Sequence, residues 1–272
     1  MAVIEATLFS HSLLRTVPLT VILPTDRHAP GEYPDACKTL YLLHGVYGNH
    51  RDWIDNTPIA RWACERDLAV VMPSGDNMFY VDQKDPHNLY GEFLTHELVE
   101  VTRAMFPLSH RREDTFIGGL SMGGYGALRN GLAAPQTFSA ITAFSSVDAV
   151  DCAASATETN ARFPFLAKAF LSSALGDLDE VPGSDRDVLS LARSAADGVA
   201  PRIFMTCGAD DALLSVNRAV SQRLSDLGMD VTYVEGEGSH EWDFWTRSLA
   251  AALDWLGLEH KASGLNSGNV GL

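Results

Sequence analysis

Ser121 stands in the stretch TFIGGLSMGGYGALRNGL, from Thr115 to Leu132, with Gly118, Gly119, Gly123, Gly124 and Gly126 crowded around it. Glycine costs a helix roughly 1 kcal/mol against alanine and weakens a strand, so this density asks for a geometric reason. The core of the stretch, Gly119-Leu120-Ser121-Met122-Gly123, lies between a compact apolar run and a helical pattern. A strand that turns into a helix at one residue leaves no room for side chains two positions before and two positions after the apex. Such an elbow lifts the apical hydroxyl above the sheet, at a helix N-terminus where free N–H groups and the helix dipole favour negative charge. The chemistry open to Ser121 there is nucleophilic attack on an acyl carbon.

A serine hydroxyl is a weak nucleophile without a base to take its proton, and the base needs an acid to orient it. Late in the chain the run RIFMTC leads into Gly208-Ala209-Asp210-Asp211, and VTYVEGEGS leads into His240. Of nine histidines, only His240 follows a late strand pattern inside a Gly-rich loop, GEGSHEW, which favours the base over an ordinary surface histidine. Both Asp210 and Asp211 are candidate acids. The spacing Gly-x-x-Asp, with Gly208 releasing the chain from the strand, selects Asp211. Acyl transfer also needs donors aimed at an oxyanion. The N–H of Met122, next after the serine, is one. The loop HGVYGNHRDW (44–53) supplies the other, assigned to the N–H of Val46. His44 in that loop reads as a structural residue that shapes it.

These groups need a frame. Short β-branched runs, at 39–45, 68–75, 114–121, 138–146, 201–208 and 230–238, alternate with helical patterns at 59–67, 91–106, 124–134, 212–228 and 241–257. Most of the runs are apolar throughout, as strands covered on both faces must be. Alternation of this kind means an α/β fold with a mostly parallel sheet. Within 91–106, Phe93, Leu94, Leu98, Val101 and Met105 are spaced for one helical face. The opening runs, 3–9 and 15–23, lack a helix between them and predict an antiparallel hairpin at one sheet edge. Residues 147–199 break the alternation with FPFLAKAF and the turn-rich GDLDEVPGSDRD, and are expected to insert over the sheet as a cap within a single domain of residues 1–260. The Gly/Ser/Asn-rich end, 261–272, has the composition of a flexible tail.

Composition excludes several function classes. A formal net charge of −15 argues against nucleic acid. With 46% hydrophobic residues in 272, a substantial core forms without metal or disulfide. Cys37, Cys64, Cys152 and Cys207 stand far apart with no CxxC pair, which reads as reduced thiols in an intracellular protein and not a zinc site; Cys207, close to the acid segment, reads as a buried structural thiol. The first residues carry no basic segment followed by an unbroken apolar one, and no stretch reaches the ~18 apolar residues of a membrane span. The expectation is a cytoplasmic protein that does not bind membranes.

The elbow and the order serine, acid, histidine are those of the α/β-hydrolase fold. Several segments in order, LLHGVYGNHRDW, AVVMPSGDNMFY, HELVEVTRAMFP, REDTFIGGLSMGGYGALR, GDLDEVPGSDRD, CGADDALL and GSHEWDFW, resemble the putative-esterase family, in its tributyrin-esterase and S-formylglutathione-hydrolase branch. The resemblance covers about residues 3–258. It implies a carboxylic ester hydrolase needing neither metal nor cofactor, with Ser121 as nucleophile, Asp211 as acid and His240 as base. It also implies a chain that can form homo-oligomers. Where similar enzymes often show Glu-Asp-Phe, this chain reads Asp210-Asp211-Ala212.

The leading expectation is a serine carboxylesterase acting on short-chain acyl esters. The alternatives within that mechanism are a thioesterase of the S-formylglutathione type and an esterase of feruloyl or acetylated sugars. A binding protein on an inactive scaffold would normally have lost the serine, the acid or the histidine, and none is lost here. Tyr47, Trp53, Met78, Phe79, Tyr80 and Trp242 are expected on loops near the serine, with Trp53 and Trp242 equally able to serve as packing residues.

Overall fold

A computed structural model of the chain describes residues 1–25, 28, 33–84, 86–196 and 198–260; the tail expected at 261–272 lies outside them. The apolar runs become β1 (Ala2–Ser10), β2 (Arg15–Leu23), β3 (Lys38–Leu43), β4 (Leu68–Pro73), β5 (Thr115–Leu120), β6 (Ala140–Phe144), β7 (Arg202–Gly208) and β8 (Val231–Gly236). They form one sheet in the order β1-β2-β4-β3-β5-β6-β7-β8. β1 and β2 form the antiparallel hairpin at one edge, and β2 also runs antiparallel to β4; every later pairing is parallel. The central strands β4, β5 and β6 are buried at every position. Helices must therefore cover both faces.

They do so as α1 (Asp52–Asn56), α2 (Ile59–Cys64), α3 (Tyr90–Glu92), α4 (Leu98–Met105), α5 (Met122–Ala133), α6 (Ala149–Ser155), α7 (Lys168–Leu175), α8 (Val188–Ala196), α9 (Leu214–Asp226) and α10 (Trp242–Trp255). One apolar cluster joins Tyr41, Leu43, Ile117 and Ile141 to Leu128, Leu132, Leu171, Leu175 and Leu224. The other joins Leu40, Leu42, Val70 and Phe116 to Trp53, Ile59, Phe244, Trp245, Leu249 and Leu253. The two clusters lie on opposite faces because successive strand side chains alternate. This is the α/β-hydrolase architecture. No helix among the described residues is long and apolar enough to cross a membrane.

The helical face predicted for 91–106 is corrected by the backbone. A π-helical turn, Phe93–Glu97, joins α3 to α4. Its extra residue rotates the face, so Val99 and Thr102 are buried after Leu98, while Val101 is half-buried and Met105 is 52% exposed. The 147–199 segment lies between β6 and β7 and carries α6, α7 and α8. Of this segment, Val147, Cys152, Phe165 and Leu166 line the cavity at Ser121.

Candidate active site

The elbow has the backbone that its glycines require. Ser121 sits at φ 54°, ψ −117°, a conformation that L-residues rarely adopt, and α5 starts at Met122, directly after it. A Cβ at Gly119 would lie 2.4 Å from the Gly123 carbonyl oxygen, and one at Gly123 would lie 2.6 Å from those of Leu43 and His44. Strand, turn and neighbouring loop therefore pack backbone on backbone. The turn is pinned from β6: Ser121 N–H donates to Phe144 O at 2.8 Å, and Val147 N–H donates to Ser121 O at 3.3 Å.

The structure brings Ser121, His240 and Asp211 into one hydrogen-bonded line. His240 Nε2 lies 3.1 Å from Ser121 Oγ, and His240 Nδ1 lies 2.9 Å from Asp211 Oδ2. The carboxylate is fully buried, whereas the imidazole is 37% exposed at the cavity. Burial would push the Asp211 carboxyl up, but the hydrogen bond and charge of His240, with the Leu213 N–H and the Ser145 hydroxyl, outweigh it and hold it below the usual carboxylate range. Its second oxygen, Oδ1, accepts from Leu213 N–H at 2.9 Å. Asp210 is exposed, and its N–H donates to Gly238 O at 3.0 Å. Of the two candidates, Asp211 is the one against the imidazole.

Beside Ser121, Gly45 and Val46 line the cavity. The N–H groups of Val46 and Met122 donate no hydrogen bond among the described residues. His44 stands behind this loop. Its Nδ1 faces Gly45 O at 2.7 Å, its Nε2 accepts from Gly75 N–H at 2.9 Å, and its own carbonyl accepts from Tyr80 Oη at 3.0 Å. Burial pushes the His44 pKa down, and one donor with one acceptor suits a neutral imidazole. That is the structural role expected of it. Cys207 is buried, and burial pushes its thiol up to about 12, away from the thiolate form.

The cavity measures about 260 Å³. Of the aromatic residues expected near the serine, Tyr47, Phe79 and Trp242 line it. Trp53 is a packing residue, buried with its Nε1 donating to Leu43 O at 2.9 Å. Tyr80 is fully buried behind His44, and Met78 packs against the core. Sequence reasoning missed Asp52, Phe165, Leu166 and Trp245. Trp245 was findable, since i and i+3 residues of one helix share a face and Trp242 had been singled out. Phe165 and Leu166 carried no such signal, because their segment has no regular period.

A family model described as putative esterase matches residues 10–256, nearly the whole of the described chain. The chain belongs to the putative esterase family. It is 39% identical over 262 residues to an acetyl esterase of Caldicellulosiruptor saccharolyticus, covering 94% of this chain and 98% of that one. An S-formylglutathione hydrolase of Staphylococcus aureus, crystallised as apoenzyme, matches with a TM-score of 0.81 at 30% identity, over 94% of this chain and 98% of its own. A fluorophosphonate-binding serine hydrolase of the same organism, solved with substrate bound, gives 0.82 at 29% identity over the same shares. This esterase is accordingly a carboxylic ester hydrolase with the fold that its sequence predicts.

Proposed function

We propose that the esterase hydrolyses short-chain acyl esters through an acyl-enzyme on Ser121. The observation that carries this reading is the line Ser121–His240–Asp211, with contacts of 3.1 and 2.9 Å. His240 Nε2 takes the hydroxyl proton as Ser121 Oγ attacks the ester carbonyl carbon, and Asp211 holds the Nδ1–H tautomer and stabilises the imidazolium. The N–H groups of Val46 and Met122 receive the oxyanion. Collapse breaks the bond to the alcohol, which leaves with the proton from His240. Water then attacks the acyl carbon by the same route, releasing the acid and restoring Ser121. No cofactor enters any step, and the enzyme is read as cytoplasmic and acting on small molecules.

Size and polarity support short acyl groups. The cavity of about 260 Å³ falls below the roughly 300–1,000 Å³ common for drug-sized ligands. Leu120, Val147, Leu166 and Trp242 make its walls apolar. Among the described residues that line it, Asp52 is the one carboxylate, and there is no Lys or Arg. A neutral ester suits that lining better than an S-formylglutathione-type thioester, whose peptide part carries carboxylates.

An organophosphonate should add one covalent mass to the peptide containing Ser121, and Ser121→Ala should abolish both labelling and turnover. Labelling that persists in Ser121→Ala refutes the acyl-enzyme. Across p-nitrophenyl esters, kcat/KM should be highest from acetate to butyrate and decline beyond, since each methylene that fits contributes at most about 0.8 kcal/mol. A steady rise to palmitate would refute the short-chain assignment.

A further inference from the structure

The imidazole of His240 is 37% exposed, and the turn after β6 is joined to the segments on either side of it. Ser145 is fully buried, yet its backbone lies at φ 45°, in the left-handed region that favours glycine. A buried, non-glycine residue held there is strained, and such strain persists where the surroundings over-determine it. Ser145 N–H donates to Thr206 O at 2.8 Å, on β7, the strand that releases the Asp211 loop. Its Oγ accepts from Trp245 Nε1 at 3.2 Å, on α10, the helix that follows His240. The residue before it, Phe144, accepts from the Ser121 N–H, and the residue two after it, Val147, donates to the Ser121 carbonyl. All three reactive segments therefore meet at this turn.

Trp245 carries the connection to the base. Its ring meets the His240 imidazole edge-on, with centroids 4.9 Å apart and planes at 88°. Trp245 also stands at 90° to Trp242, 5.2 Å away, and Trp242 stands at 87° to Trp53, 5.3 Å away. Three tryptophans packed at successive right angles give the imidazole a rigid wall. The indole N–H of Trp245 is anchored to Ser145, so the wall is fixed to the turn that holds Ser121. The same turn is tied to the acid loop through Ser145 N–H, which donates to Thr206 O on β7 at 2.8 Å.

We propose that Ser145 is a positioning residue: through Trp245 and the acid loop it keeps His240 and Asp211 aligned on Ser121. The proposal rests on the reading of Ser121, His240 and Asp211 given above, which phosphonate mapping to Ser121 tests separately. Two substitutions isolate it. Ser145→Gly removes Oγ while making φ 45° easy for the backbone, and Trp245→Phe keeps a ring against His240 but removes the donor to Ser145. Each should lower kcat on p-nitrophenyl acetate tenfold or more with KM within about twofold, and each should weaken or shift the low-field proton resonance of His240 Nδ1–H. The double variant should lose little beyond the worse single one, because both break the same contact. A residue that served the fold alone would lower the melting temperature and leave kcat of the folded enzyme unchanged. Ser145→Gly with kcat within twofold of the parent, or fully multiplicative losses in the double variant, overturns the proposal. Should Ser145→Gly fail to fold, kcat and the proton resonance of Trp245→Phe decide it by the same thresholds.

Discussion

Asp211→Asn exchanges one oxygen for an NH2 group, and the hydrogen bonds around it determine which one. Leu213 N–H donates to Oδ1 at 2.9 Å, so the amide oxygen must stay there and the NH2 must take the place of Oδ2, 2.9 Å from His240 Nδ1. An NH2 group can only donate. His240 Nδ1 then becomes an acceptor, and the ring proton moves to Nε2, which faces Ser121 Oγ at 3.1 Å. In that tautomer His240 cannot take the serine proton. The expected loss is on the order of 10⁴ in kcat, or about 5 kcal/mol at roughly 1.36 kcal/mol per tenfold. Asp210→Asn, at an exposed side chain outside the line, should keep kcat within about twofold. The assay is release of p-nitrophenol from the acetate ester under saturating substrate, with circular dichroism and a thermal melt to show both variants folded. A folded Asp211→Asn enzyme losing less than tenfold, or an equal loss in Asp210→Asn, refutes the argument.

Two further substitutions test the frame around this line. Gly123→Ala places a Cβ 2.6 Å from two backbone oxygens, so it should destabilise by about 1–3 kcal/mol despite the ~1 kcal/mol that alanine normally gains over glycine in a helix; a higher melting temperature in the variant would contradict the packing. Glu97→Gln should lower the melting temperature by roughly 2–4 °C, about 1 kcal/mol for a half-buried carboxylate, because Glu97 accepts from Ser10 Oγ at 2.6 Å, His11 N–H at 2.5 Å and Ser12 N–H at 3.0 Å. Burial pushes the Glu97 carboxyl up, but these bonds outweigh it and hold it below its usual range. The stabilisation is therefore present above the unfolded carboxylate range and is lost as pH falls through the lower, folded value. The gap between parent and Glu97→Gln should accordingly close in acid, and a gap that widens there would show that the carboxylate is not the source.

What was legible in the sequence was local or periodic. The parallel core strands announce themselves because burial on both faces demands continuous apolar runs. The elbow announces itself because Gly119 and Gly123 meet backbone oxygens where no Cβ fits. The order of Ser121, Asp211 and His240 was readable because each follows a strand, and parallel strands deliver their C-terminal ends to one side of the sheet. Helix boundaries were close, but the face of 91–106 was not, since one π turn shifts the register without leaving a mark in hydrophobic spacing.

The remainder was decided by tertiary structure, because it depends on distances between segments far apart in the chain. Adjacent aspartates differ only in which one turns inward, and Asp211 does so because its loop packs against Gly238 and the His240 turn. Trp53 and Trp242 look alike in sequence, yet one is sealed in the core and the other lines the cavity, according to where α1 and α10 meet the sheet. Ser145 has no motif at all. Its place beside Trp245 and the acid loop exists only once β6, β7 and α10 are assembled, since a hydrogen bond between residues 100 positions apart is specified by the packing of whole elements and not by the neighbours of either residue.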